Sequence, residues 1–159
     1  MSLQVLINIL IGVLWMFFLD NWSVLSFTSG YLIGLLILFG LQRFISSKYY
    51  LFTLLDVLKL FLIFIAELFA SSIVVIGKIL QPRITIKPGI LALNTSLEGE
   101  VEVTLLALLI TLTPGSVVIE ISPDNKVLYV HAMDIPELSD GVRQSQIRFE
   151  KAIKRVTRP

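Results

Sequence analysis

Five polar residues recur on one side of an otherwise apolar stretch, Leu54 to Leu80. At about 100° per residue they fall within an arc of about 120° on a helical wheel; this set, called the polar stripe below, is Asp56, Lys59, Glu67, Ser71 and Lys78. The remaining surface of the predicted helix is mostly Leu, Phe, Ile and Val. Because ionised side chains are costly in lipid, we expect the polar stripe to face protein or a wet cavity.

Glu67 lies near the middle of this stretch and has two interpretations. A carboxylate at that position can relay protons or cations, or it can anchor the helix through hydrogen bonds to a neighbouring subunit. The chain has no second acidic residue nearby in sequence and offers few groups to pair with the polar stripe. The sequence therefore predicts that a partner protein covers the stripe, and it leaves the relay open as the weaker alternative.

Elsewhere the reactive residue types are sparse. The chain has no cysteine and one histidine, His131, so neither a thiol nucleophile nor a histidine cluster for a metal can form. Glu120 and Asp134 are too isolated to be assigned as a catalytic pair, and no phosphate-binding glycine pattern occurs. We predict no catalytic residue, no metal site, no cofactor and no enzymatic activity.

Charge divides the 159 residues into two halves. Only seven of the 25 charged side chains lie in residues 1–80, and 18 lie in 81–159. The pattern predicts membrane helices in 1–80 and a water-facing domain in 84–159. The net charge of +1 gives no field that would favour nucleic acid as a partner.

Three apolar segments make up the first half, at about 3–19, 23–44 and 54–80. Helices of roughly 17 to 25 residues span a bilayer, so the segments are predicted to be membrane helices, the first two forming a tight antiparallel hairpin. The N-terminus has neither a basic region nor a cleavage site of small residues, which favours a retained helix over a signal peptide. In the second segment Ser26, Gly30 and Gly34 are four residues apart and predict close helix packing.

Membrane orientation is ambiguous from the sequence. Arg43 and Lys48 mark one end of the second segment as cytoplasmic, while Lys78, Arg83 and Lys87 mark the far end of the third as cytoplasmic too. Both assignments cannot hold if the third segment crosses completely. The larger basic cluster favours a cytoplasmic C-terminal domain, and the number of full crossings, two or three, stays open.

The stretch "TLLALLITLTPGSVVIEI" is long and apolar, but a Pro-Gly pair interrupts it. Val103 to Leu112 is only ten residues, about 15 Å of helix, which is too short to span. Because its apolar residues occur all round a helical wheel, we expect this helix to be covered on both sides. Together with a strand at about Ile90 to Thr95, a following hairpin and an amphipathic helix at Glu137 to Val156, it predicts a small α+β domain of β-α-β-β-α order, ferredoxin-like without the last strand.

Three passages, "ELFASSIVVIGKILQP", "LITLTPGSVVIEIS" and "KVLYVHAMD", together resemble one known family over nearly the whole chain. That family is the E subunit (MrpE, MnhE) of the Mrp-type multisubunit sodium/proton antiporters. The resemblance marks Thr113, Pro114 and Gly115 as a family motif, which we interpret as shaping a turn, and Glu67 as matching the family's acidic position.

The resemblance implies an accessory subunit of a bacterial cell-membrane complex in which large subunits related to respiratory complex I chiefly conduct the ions. Its implied partners are those large subunits, small membrane subunits and the lipid bilayer, and contact with a second copy of the complex is left open. The alternative is a stand-alone, membrane-anchored sensor or binding domain. That alternative requires a pocket with convergent polar groups, and the sequence does not reveal one.

Overall fold

The computed structural model describes residues 2–41, 49–83 and 86–158, with backbone alone at residues 2 and 136–139. The elements, in chain order, are α1 (Ser2–Phe18), α2 (Val24–Leu41), α3 (Tyr50–Ile79), β1 (Gly89–Asn94), α4 (Glu100–Leu112), β2 (Ser116–Ile121), β3 (Val127–Ala132) and α5 (Ile135–Thr157). All predicted helices and strands are present with small shifts at their ends. The predicted extension of the second segment to Phe44, and Arg43 and Lys48, lie outside the described residues.

The chain forms two compact units, and the boundary between them falls inside α3, between Leu55 and Asp56. Within the described residues, α2 and α3 are long and apolar enough to cross a membrane, and Leu3–Phe18 of α1 is a shorter apolar helix. The number of helices that cross the bilayer, and the division into a membrane part and a water-facing part, stay predictions.

In the first unit α1 and α2 pack closely through small residues of α2. Ser26, Gly30 and Gly34 are all buried, and a methyl group built on Gly30 would lie 2.5 Å from Trp15 Cβ. The buried Asn8 side chain of α1 lies over Gly34 and donates a hydrogen bond of 2.8 Å from Nδ2 to Tyr50 Oη. Glycine at position 30 allows this close packing, because a larger side chain there would meet Trp15 Cβ, and at position 34 it leaves room for the Asn8 amide.

The second unit contains a three-stranded antiparallel sheet with the strand order β1-β3-β2. The central strand β3 pairs Val130 with Leu91 of β1 and with Val118 of β2. The β2–β3 hairpin turns at Asp124, whose Oδ1 accepts a 2.5 Å hydrogen bond from Ser122 Oγ, and Asn125 adopts a left-handed φ of 58°. The hydrogen bond from Ser122 holds the Asp124 carboxylate and lowers its pKa below the usual value.

Helices α4 and α5 cover one face of the sheet. Their inward side chains, among them Leu106, Ile110, Phe149 and Ile153, form one core with Leu128 of β3, and each is at most 1% exposed. Leu60 of α3 belongs to the same cluster, which is why this part of α3 folds with the second unit. Burying these large apolar side chains supplies the main favourable free energy of folding.

The structure covers α4 on one side only within this chain, so the expectation that it is covered on both sides stays a prediction for the outer face. Its outer face exposes Val101, Leu108 and Leu112 at 76%, 54% and 57%. The reason is geometric, because α4 packs on the sheet and on α5 from one side only. The opposite face of the sheet is also open, with Ile90 60% and Val117 46% exposed on either side of His131.

Candidate functional site

Glu67 lies in the second unit and is held there by two residues of α5. Its Oε1 lies 2.7 Å from Arg148 Nε, and its Oε2 accepts a 2.6 Å hydrogen bond from Ser145 Oγ. Glu67 is only 9% exposed, whereas the Arg148 side chain is 53% exposed. The expectation that this chain has few groups to pair with the polar stripe is therefore wrong at Glu67, since α5 supplies both partners.

The far end of the stripe is paired within the chain as well. Lys78 Nζ lies 2.9 Å from Asp134 Oδ2, and the two side chains are 8% and 4% exposed. Asp134 precedes α5 and follows β3, and its other oxygen accepts a 3.4 Å hydrogen bond from the Lys87 backbone. The hydrogen bond from Lys78 lowers the pKa of the Asp134 carboxyl. A buried ion pair thus joins the end of α3 to the junction between sheet and helix.

The other stripe residues are less directly engaged. Ser71 Oγ donates to the Glu67 backbone carbonyl at 2.7 Å, which satisfies the hydroxyl within α3. Asp56 and Lys59 line a hollow of about 250 Å³ together with Ala152 and Arg155 of α5. The polar stripe therefore follows α5 over most of its length.

The Thr-Pro-Gly motif ends α4 and begins β2. Thr113 Oγ1 donates to the Ile110 carbonyl at 2.6 Å, and Ser116 Oγ donates to the same carbonyl at 3.0 Å. Gly115 has a φ of 94°, a left-handed conformation in which side chains are strained. Its carbonyl accepts a 2.9 Å hydrogen bond from Met133 N, so the turn is tied to the end of β3.

The motif and the polar stripe meet in one cavity of about 170 Å³ in the second unit. Its polar lining comprises Glu67, Ser71, Thr113, Ser116, Ser145 and Arg148, and its apolar lining includes Ala70, Val74, Ile110 and Val142. The sequence did not reveal such a pocket, because its walls come from distant segments. The polar side chains largely bind one another or the backbone, so the cavity joins α3, α4 and α5 and is not a ready-made ligand site.

Catalytic chemistry finds no support in this geometry. In the described parts of the chain, 2–41, 49–83 and 86–158, no group of three His, Cys, Asp or Glu side chains could hold a metal ion. His131 lies exposed on the open sheet face, and Glu120 lies exposed on β2. The Ser145 hydroxyl does donate to the Glu67 carboxylate, but that carboxylate is also paired with the Arg148 guanidinium, so the contact is typical of an anchor between helices.

Sequence reasoning missed Ser145, Arg148 and Asp134 as partners of the stripe. One signal was available, since Ser145 falls in the apolar arc of the α5 wheel, where a polar residue needs a polar neighbour. Arg148 lies one turn further along α5, on the same side. Nothing in the sequence pointed from these residues to Glu67, which is 78 positions away from Ser145.

Comparison with known proteins adds the family pattern to this geometry. The MNHE family, described as "Na+/H+ ion antiporter subunit", matches residues 8–156. The E subunit of the Na(+)/H(+) antiporter of Bacillus subtilis is 42% identical over 158 residues, covering 99% of this chain and 100% of the relative. The corresponding E subunit of Alkalihalophilus pseudofirmus is 39% identical with the same coverage.

One solved structure resembles the fold over nearly its full length. It is a chain of the membrane-bound sulfane sulfur reductase, an archaeal respiratory membrane complex. The TM-score is 0.55 at 20% identity, and the likeness covers 97% of this chain and 98% of the other. At this identity the likeness shows a shared fold alone.

Proposed function

Because the chain belongs to the MNHE family of Na+/H+ antiporter subunits, we propose that it is an accessory, structural subunit of a multisubunit Na+/H+ antiporter. In this role it supports assembly of the complex and its antiport activity and does not conduct ions alone. The family match runs through both compact units, so the proposal concerns the whole chain.

The observation that carries the structural role is the state of Glu67. A relay carboxylate must exchange its proton or cation between successive partners. Both Glu67 oxygens are instead occupied, one by the Arg148 guanidinium and one by the Ser145 hydroxyl. A charge-assisted pair with a further hydrogen bond is typical of an anchor between two elements.

Two exposed apolar surfaces support a role inside an assembly. One is the outer face of α4, and the other is the open face of the sheet around Ile90, Val117 and Tyr129. Exposed apolar patches of this kind mark surfaces that other proteins cover. The proposed partners are the large and small membrane subunits of the antiporter, together with the lipid bilayer.

The proposal includes a place in the bacterial cell membrane, with several apolar helices in contact with lipid and the second unit in the cytoplasm. The basic residues Lys78, Arg83 and Lys87 favour the cytoplasmic side for the second unit. We also propose that β1 to α5 form a ferredoxin-like domain without its last strand. The support is the strand order, in which β3 lies between β1 and β2.

Native purification of the tagged chain from bacterial membranes tests the proposal. We expect it to bring down several large membrane proteins in fixed proportion, together with small ones. A tagged variant truncated after Leu55, at the boundary of the second unit, serves as the control for the contribution of that unit. Recovery of the full chain as a stable monomer without large partners would overturn the proposal and favour the membrane-anchored sensor.

Glu67→Gln separates the anchor from the relay. Glutamine keeps the shape of the side chain and can still accept from Ser145, so we expect normal assembly and sodium-dependent antiport close to that of the unchanged complex. Loss of a relay group would lower transport by about 100-fold or more, as for other essential proton-transfer groups. Such a loss in a fully assembled complex would show that Glu67 carries ions or protons.

A further inference from the structure

Helices α3 and α5 lie side by side in opposite directions along the polar stripe. Two ion pairs, Glu67–Arg148 and Lys78–Asp134, join the helices, and Asp56 and Arg155 line one hollow further along α3. Asp56 and Lys78 are 22 residues apart, or about 33 Å along a helix. That length slightly exceeds the thickness of a bilayer's hydrocarbon core, about 30 Å.

The outer surface of α5 is incompatible with hydrocarbon. Arg143 and Lys151 are exposed on it, and the Arg148 side chain, although paired with Glu67, is 53% exposed. Charged side chains at membrane depth are rare and face protein or water-filled cavities. If α3 stood upright across the bilayer between Asp56 and Lys78, α5 would run beside it through the same depth and carry these charges into lipid.

We propose that α3 does not cross the membrane but lies along its cytoplasmic surface, with its outer apolar face in the boundary between headgroups and acyl chains. The inference rests on the proposed membrane subunit and adds the lipid surface as the partner of this face. The face exposes large side chains along its length, among them Leu58, Phe61, Phe69, Ile73 and Ile76, each more than half exposed.

Charge favours a lipid surface as the occupant of this face. Lys59 lies exposed on α3, and Arg83 and Lys87 lie exposed directly after it. Basic residues beside an apolar helix face attract the anionic headgroups of a cytoplasmic leaflet. An α3 that stays on one side also removes the conflict in the sequence, because Arg43 and Lys48 before α3 and the basic residues after it then share the cytoplasmic side.

Single cysteines at the two ends of α3 test the topology directly, since the chain has no native cysteine. Ser47→Cys and Gln81→Cys are expressed with the complete antiporter and labelled with a membrane-impermeant maleimide, and Asn21→Cys between α1 and α2 is the reference for the opposite side. We expect Ser47→Cys and Gln81→Cys to label only in inverted vesicles. Labelling of these two positions from opposite sides would overturn the inference.

The same assay separates failure of the inference from failure of the proposed function. If both ends of α3 label only from outside the cell, the inference is overturned, because α3 then lies on the outer and not the cytoplasmic surface. If the two ends label from opposite sides while the chain still co-purifies with large membrane subunits, the proposed function stands and the inference fails.

Depth measurements test the lipid contact itself. A thiol-linked fluorophore is placed at Leu58→Cys or Phe69→Cys in the assembled complex, reconstituted with lipids brominated at different depths. An upright α3 would place these residues at depths differing by about 16 Å. We expect equal, shallow depths, about 5 to 10 Å below the headgroups. Depths that differ by the upright value, or no quenching because protein covers the face, would overturn the inference.

Discussion

The carboxylate of Glu102 ties α4 to the C-terminal end of α5. Glu102, in the first turn of α4, receives 3.0 Å and 2.7 Å hydrogen bonds from Arg158 Nε and Nη2 and a 2.5 Å bond from Thr157 Oγ1. The Glu102 side chain is 8% exposed, and Arg158 is 40% exposed. Chiefly through the Arg158 hydrogen bonds, the pKa of Glu102 falls from 4.5 to about 2.

A pKa lowered by that amount corresponds to at most about 3.4 kcal/mol of folding free energy. Because the guanidinium is partly exposed and screened by water, we reduce the expected effect of Arg158→Ala to about 1 to 2 kcal/mol. The sign follows from the direction of the pKa. A carboxyl whose pKa is lower in the folded state contributes its full stabilisation above pH 4.5, and the contribution disappears as pH falls towards 2.

Hydrogen–deuterium exchange of the full chain in detergent measures the stabilisation of α4 by this ion pair, as the opening free energy of residues 100–112. Arg158→Ala should lower that free energy by the stated amount at pH 7, with a difference that shrinks as pH falls below 4.5. Arg143→Ala, which removes an exposed arginine from α5 itself, is the control. An undiminished difference at pH 3, or an equal effect of the control, would refute the reasoning.

Two further predictions concern packing and the turn. In Gly34→Ala the new methyl group would clash with Asn8 Oδ1, so we expect about 1 to 3 kcal/mol of destabilisation in a thermal melt of the detergent-solubilised chain. Gly40→Ala should be neutral, because no described residue lies within 4 Å of the added methyl group. Equal melting temperatures of the two variants would contradict the packing. Thr113→Val removes the 2.6 Å hydrogen bond to the Ile110 carbonyl, and we expect it to lower the opening free energy of the turn, measured by hydrogen exchange, by about 1 kcal/mol. Thr104→Val, at an exposed position, is the control. A similar loss in the control would show that the Thr113 hydrogen bond is not responsible.

Local patterns predicted most of the secondary structure, because periodicity and turn residues act over short distances. The Pro-Gly break located the end of α4 and the start of β2, and the β-branched runs located the hairpin. The stripe of α3 was also visible in the sequence, since the spacing of Glu67 and Lys78 follows the helical period. These features depend on neighbours within about a dozen residues.

The partners of those residues could not be predicted, because they depend on the tertiary fold. Arg148 reaches Glu67, and Asp134 reaches Lys78, only after the sheet has placed the start of α5 beside the end of α3. The exposure of Leu108 is likewise a property of the fold. A helix that is apolar all round indicates that both sides will be covered, but it does not tell whether the cover comes from the same chain.

The side chains of α3 are apolar for two separate reasons, and a hydropathy average does not distinguish between them. Leu60, Ile63 and Phe64 are apolar because they pack on the core of the second unit, whereas Phe69 and Ile73 are apolar and exposed. A helix with one apolar side against its own domain and another against a membrane surface passes a length-and-hydropathy test for a spanning helix without needing to cross. Under the inferred topology Glu67 lies at the depth of the headgroups, where α3, which contacts lipid, meets α5, which carries the charged side chains. There its pairing with Arg148 fixes the orientation of α3 on the membrane, and Glu67 no longer has the intramembrane position that would favour a relay.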